Sequence, residues 1–162
     1  MAAHPARFRD PRSTAYDFLG SVVVRCPRCA QAARIVPAPG VDSGPGGRRT
    51  IGRRLICRGC GLARERRGHP VMLAGGSAGP ATDPWFGVPL RFRAETRHGW
   101  LWAYDRAHLD LIRRYVAAPL RERAPWYDTG RKMTLVARLP AWIKHAKNRD
   151  EVLRAIRRAA SA

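Results

Sequence analysis

All four cysteines of this chain stand in two identically spaced pairs, Cys26-Pro-Arg-Cys29 and Cys57-Arg-Gly-Cys60. Few sequence features constrain a fold more tightly. A two-residue gap lets one tight turn aim two thiols at one point. Backbone N–H groups inside such a turn can also hydrogen-bond the sulfurs and spread their charge. Two turns of this kind on neighbouring hairpins can close a tetrahedron of sulfur around a single ion.

Ribbons built this way usually separate their pairs by about 15 to 20 residues, and here the separation is longer. Pro37 to Arg49 accounts for the excess, because "PAPGVDSGPGGRR" has the composition of a loop. The flanking arms, 30–36 and 50–56, are equal in length and can pair as a hairpin with that loop at its tip. Lengthening a tip costs little, since each doubling of a loop adds about 0.6 kcal/mol. A redox dithiol would stand as one pair at a helix N-terminus in a βαβ setting, and no such setting is visible. Cys26, Cys29, Cys57 and Cys60 are therefore expected to hold one structural Zn²⁺. An all-cysteine shell is closed, so catalysis at the metal is not expected.

The residues around the pairs resemble a known pattern. "CPRC…CRGCG" is similar to the zinc ribbon of the transcription factor IIB type, also seen in rubredoxin-like modules. The resemblance covers roughly residues 21 to 67. It implies a three-stranded antiparallel ribbon with a four-cysteine zinc site. Such ribbons often carry Gly after each pair; Gly61 follows the second pair, but Ala30 follows the first. The second half, "DPWFGVPLRF…HGWLWAYDRAHLDLIRRYVAAPLRER" followed by "RLPAWIKHAKNRDEVLRAIRR", is similar to small bacterial ribbon-containing proteins of uncharacterised function, which implies an architecture and no activity.

The remaining chain reads as an α+β protein. Residues 1–20 are expected as a loose tail, 21–67 as the ribbon, 68–83 as a Gly/Pro linker, and 84–162 as a β-hairpin with C-terminal helices. Strands are expected at Ser21–Arg25, Ala33–Val36, Thr50–Ile56 and Leu62–Arg67. Pro89–Arg97 and Trp100–Tyr104 alternate apolar and polar residues around His98-Gly99. Asp105 is placed to cap a helix bearing Leu109, Ile112 and Val116 on one face, with His108, Leu111 and Tyr115 beside them. Pro119 should end or kink it. Pro140 can start a further short helix. Asn148 with Glu151 reads as a capping box for a last helix whose buried stripe is Val152, Leu153 and Ile156.

The chain carries 31 Lys and Arg against 12 Asp and Glu, a net charge of +19 over 162 residues. Lys132, Lys144 and Lys147 are its lysines, and every other cation is arginine. Such a charge favours nucleic acid or an acidic protein surface. The Ala-, Arg-, Gly- and Pro-rich composition also carries the mark of GC-rich coding, which raises arginine without regard to function. The candidate contact residues are Arg28, Arg48, Arg49, Arg53, Arg54 and Arg58 on the ribbon, with Trp142, Lys144 and Lys147 in the helical half. Trp85 and Phe86, between two prolines, read either as a base-stacking platform or as an anchor on the core, and the anchor is preferred.

No apolar run of about 18 residues is present, so no membrane span is expected. The N-terminus is broken by Asp10, Pro11 and Asp17 and lacks an apolar region of signal-peptide type, so a cytoplasmic setting is expected. "GPGGRRT" (44–50) lacks the ending of a phosphate loop. "GGSAG" (75–79) lacks the helix a nucleophile elbow needs. No motif for a small-molecule substrate is evident. The expectation is thus a non-enzymatic zinc protein that binds nucleic acid or serves transcription or translation as an accessory factor. One alternative is an adaptor that docks on a larger machine. A second is a metal-dependent nuclease using His98 and His108 near Asp105 and Asp110.

Overall fold

The computed structural model describes residues 7–39, 51–68, 81–121 and 134–162. Antiparallel sheet dominates the first half and helices the second. The strands are β1 (Arg7–Phe8), β2 (Val22–Arg25), β3 (Ala32–Pro37), β4 (Ile51–Ile56), β5 (Ala63–Gly68), β6 (Phe92–Thr96), β7 (Gly99–Ala103) and β8 (Leu120–Arg121). The helices are α1 (Arg106–Ala117), α2 (Leu135–Arg138), α3 (Ala141–Lys144) and α4 (Arg149–Ser161).

Strands β2 to β5 pair in sequence order as an antiparallel sheet of four strands. The resemblance implied three. Its inner face follows from period-two burial. Val22 and Val24 of β2, Ala33 and Ile35 of β3 and Leu55 of β4 are buried. The register places Val22 opposite Ile35 and Ile35 opposite Leu55, so these residues form one continuous apolar row. β5 has no buried residue along its length.

The other edge of this sheet is covered. Val23 donates its N–H to Tyr104 O and Arg25 donates to Pro89 O, while Arg91 N–H returns to Val23 O. Trp85, Val88, Leu90 and Tyr104 pack into the same apolar cluster as the inner face. Residues 84–91, expected to open the second module, therefore lie against the first sheet.

A buried carboxylate organises this segment. Asp83 accepts the N–H groups of Trp85 (2.9 Å), Phe86 (2.7 Å) and Val88 (2.7 Å). That folds 83–88 into a compact turn, completed by Gly87 at φ +67°. Trp85 points into the core, as the anchor reading requires.

A second core lies between the β6–β7 pair and the helices. Asp105 caps α1, its carboxylate accepting the His108 N–H at 2.7 Å. The helix stops at Ala117, and Ala118 before Pro119 turns extended. α4 buries Val152, Ala155, Ile156 and Ala159. Its alanines allow close approach to β6 and β7, whose Ala94, Leu101 and Ala103 are buried in the same cluster.

Three expectations are corrected. Residues 7–20 are not a loose tail. β1 pairs parallel with β8, and Phe8 packs edge-on against Tyr115 at 5.3 Å. Thr14 and Asp17 form a capping box on a short 3₁₀ turn, and Phe18 stacks on His108 at 4.9 Å. Asn148, expected to cap α4 through its side chain, makes no cap bond. Its Nδ2 donates instead to Trp142 O at 2.9 Å, tying α3 to the start of α4, while Glu151 pairs with Arg97 at 3.0 Å. Leu153, expected in the buried stripe, is half-buried, and Ala155 and Ala159 take the interior.

Candidate metal centre

Two backbone turns of the same design place the thiols. In the first, Cys26 follows β2 and Ala30 N–H returns to Cys26 O at 2.9 Å, while Cys26 N–H bonds Gln31 O at 2.8 Å. In the second, Gly61 N–H returns to Cys57 O at 3.0 Å and Cys57 N–H bonds Leu62 O at 2.8 Å. Arg28 N–H points at Cys26 Sγ from 3.4 Å. Ala30 and Gly61 both sit in the left-handed region, at φ +59° and +71°. Glycine is at home there. Ala30 adopts it despite its Cβ.

Because β2 to β5 form one antiparallel sheet, both turns project from the same end. The four sulfurs converge. Cys26 Sγ lies 3.6 Å from Cys60 Sγ, and Cys29 Sγ lies 3.6 Å from Cys57 Sγ. All four lie within 4.8 Å of one another. A tetrahedron with metal–sulfur bonds of about 2.3 Å has sulfur–sulfur edges of about 3.8 Å. The observed separations suit that figure and far exceed a disulfide bond of about 2.05 Å. The four cysteines are thus placed to hold one metal ion. Cys26 and Cys57 are buried, while Cys29 and Cys60 are half-buried.

Cys26 and Cys29 shift in opposite directions. Burial pushes the Cys26 thiol up, but the N–H groups of Arg28 and Cys29 and the thiols of Cys57 and Cys60 outweigh it and bring it to about 6. Cys29 moves the other way, to about 12: the Gln31 N–H favours its thiolate, but burial and the three neighbouring thiols prevail. A negative charge is thus favoured on Cys26 and opposed on Cys29. A divalent cation reverses that opposition, because each thiolate then faces a positive charge.

Among the described residues, no other group of three or more His, Cys, Asp or Glu side chains is close enough to share an ion. His108 is buried in α1. Its Nδ1 accepts the Tyr104 N–H at 3.1 Å, and Phe18, Trp102 and Tyr104 surround its ring. Burial pushes it down to about 3. His98 stacks on Trp142 at 5.5 Å and accepts from Arg97 Nε at 3.1 Å.

The expected contact residues divide. Arg28 and Arg58 are exposed on the two cysteine turns, and Lys147 is exposed before α4. Arg53 turns inward: its guanidinium lies 4.1 Å over the Trp85 ring and Nη1 donates to Leu19 O at 2.6 Å. Lys144 Nζ bonds Ala137 O at 3.0 Å. Arg54 pairs with Glu65 at 3.3 Å. Trp142 is half-buried under His98. Arg48, Arg49 and the 44–50 and 75–79 segments lie outside the described residues.

Arg25, which the sequence places beside the first cysteine pair, and Arg34 were not among the expected contact residues. Both are exposed on the face of the sheet opposite the buried row, and the period-two alternation around Val24 and Ile35 carried the signal. Among the described residues, no helix is long and apolar enough to cross a membrane.

Comparison with known proteins gives no matching family model, no matching curated protein and no matching solved structure. The class this chain belongs to is therefore set by its own fold and site. It is a small protein of antiparallel sheets and C-terminal helices, with a four-cysteine centre able to hold a metal.

Proposed function

We propose that the cysteine centre holds one Zn²⁺ in a ribbon-like site and that the protein is a non-enzymatic nucleic-acid-binding factor. The observation that carries the metal assignment is the convergence of four thiols within 4.8 Å of one another, two of their separations being 3.6 Å. Four thiolates suit zinc, and a shell filled by protein ligands leaves no open position for a substrate. The metal's contribution is to fold: it ties both cysteine turns into one end of a sheet whose fourth strand buries nothing.

The nucleic-acid part of the reading is supported by the net charge of +19 and by arginines exposed around the centre, among them Arg25, Arg28, Arg58 and Arg64. The non-enzymatic part is supported by the commitments of the candidate catalytic groups. His108 accepts a backbone N–H in the core, and Asp105 caps its helix.

Binding to arbitrary duplex DNA and RNA, followed by anisotropy across a salt series, tests the reading. Log affinity should fall linearly with log salt. Affinity that is insensitive to salt, or absent at low salt, would refute it. Recovery of a protein partner that survives nuclease treatment would favour the adaptor alternative.

A further inference from the structure

The face of the β2–β5 sheet opposite the buried row carries an ordered array of charge. Alternation places Arg25, Arg34, Arg54, Glu65 and Arg67 on that face, because Val24, Ile35 and Leu55 occupy the other. The strand register then fixes their relative positions. Val23 pairs with Arg34, so Arg25 stands one strand across and two residues along from Arg34. Arg34 pairs with Ile56, so Arg54 repeats the same step. Arg54 pairs with Glu65, so Arg67 repeats it once more. The four arginines, one per strand, lie on a single diagonal from the cysteine end of the sheet to its far end.

Adjacent strands are about 4.8 Å apart and two residues advance a strand by about 6.7 Å, so each step is about 8 Å. The whole diagonal spans about 25 Å by the same spacings. Glu65 stands between the last two members, 3.3 Å from Arg54 and 3.2 Å from Arg67. Arg34 Nη1 donates to Ser21 Oγ at 3.0 Å, which steadies it on the face. No aromatic side chain stands on this face among the described residues, so it offers no platform for stacked bases.

We infer that this diagonal is the surface on which a nucleic-acid backbone lies, each arginine meeting phosphate and none reading sequence. The inference rests on the nucleic-acid reading above and specifies its site. A regular row of guanidinium groups matches a polymer whose charge repeats regularly, and the arginine fork matches phosphate oxygens two at a time. Glu65 opposes binding, because phosphate must compete with its carboxylate for Arg54 and Arg67. The surface is therefore expected to gain affinity when one particular charge is removed. A patch acting only through net charge would also gain from that loss, but it would not depend on where the arginines stand.

The test compares full-length, zinc-loaded variants on a duplex DNA of about 30 base pairs, over a salt series. Arg25, Arg34, Arg54 and Arg67 are changed to Gln one at a time and together. A control removes equal charge from the helices through Arg106→Gln, Arg113→Gln, Arg154→Gln and Arg157→Gln. Each single diagonal variant should lower the salt slope by about 1, and the fourfold variant should bind at least about 100-fold more weakly. The helix control should keep most of the affinity. Glu65→Gln should bind several-fold more tightly at low salt, and the four single Arg→Gln variants, each set against the single helix changes, keep the test falsifiable if the fourfold variant fails to fold. Wild-type affinity in the diagonal variants, with loss in the helix control, would overturn the inference while leaving nucleic-acid binding intact. No binding by the wild-type protein would remove both readings. Weakening of equal size in both sets would show that net charge, not the diagonal, governs binding.

Discussion

Ala30 and Gly61 occupy equivalent positions, each closing a cysteine turn with its N–H on the carbonyl of the cysteine four residues earlier. Both have positive φ, but only one is glycine. A Cβ in this region costs about 1–2 kcal/mol, partly offset because glycine loses more freedom on folding. Ala30→Gly should therefore stabilise the protein by about 1 kcal/mol, and Gly61→Ala should destabilise it by a similar amount. Urea unfolding of the zinc-loaded protein measures both.

Arg53 provides a contrast with its neighbour. It lies over Trp85 and donates to Leu19 O, and burial lowers its pKa. Arg53→Ala should cost about 1–2 kcal/mol of stability through the lost stacking and an unpaired carbonyl. It should change the salt slope of DNA binding little. Arg54→Gln should do the reverse. Paired unfolding and binding titrations separate the two.

Asp83 holds three backbone N–H groups in a turn that seats Trp85 in the core. Asp83→Ala leaves those donors without partners and should cost about 3 kcal/mol. Loss of Trp85 burial should appear as a red shift of tryptophan emission in the native baseline. An unchanged midpoint would contradict the turn's role.

His108 links stability to acid. Burial pushes its folded pKa down to about 3, below the ordinary value of 6.5. The unfolded chain therefore takes the proton first. The contribution of neutral His108 is complete above about pH 6.5 and is lost as pH falls from there toward 3, at a limiting slope of about 1.4 kcal/mol per pH unit. Thiolate protonation would also release a metal bound at the cysteine centre, so the comparison needs His108→Gln at the same zinc loading. The wild type should show the steeper loss between pH 6.5 and 5.

Much of this was legible in the residues and some was not. The four thiols stood out because two equal spacings leave few alternatives. Asp105 and Pro119 bound α1 because capping and the missing N–H of proline act locally. Arg53 was read among the contact residues although it shares the period-two phase of buried Leu55, and its guanidinium lies on Trp85. Asp83 was lost in a Gly- and Pro-rich stretch, though Asp-Pro followed by Gly87 is a turn signal. Residues 7–20 could not be read, because Phe8 and Phe18 are held by Tyr115 and His108, about a hundred residues away in sequence. Asn148 was assigned a local cap, but a long-range alternative, Trp142 O, takes its side chain.

The central claim is that Cys26, Cys29, Cys57 and Cys60 form one closed zinc site. Metal analysis of purified protein, with zinc-stripped protein followed by circular dichroism and amide exchange, tests it most directly. One zinc per chain is predicted, lost when any one of the four is changed to Ser, with exchange protection of β3 and β4 collapsing on stripping. A chain that carries no zinc, or that keeps full protection of those strands without it, would contradict the account.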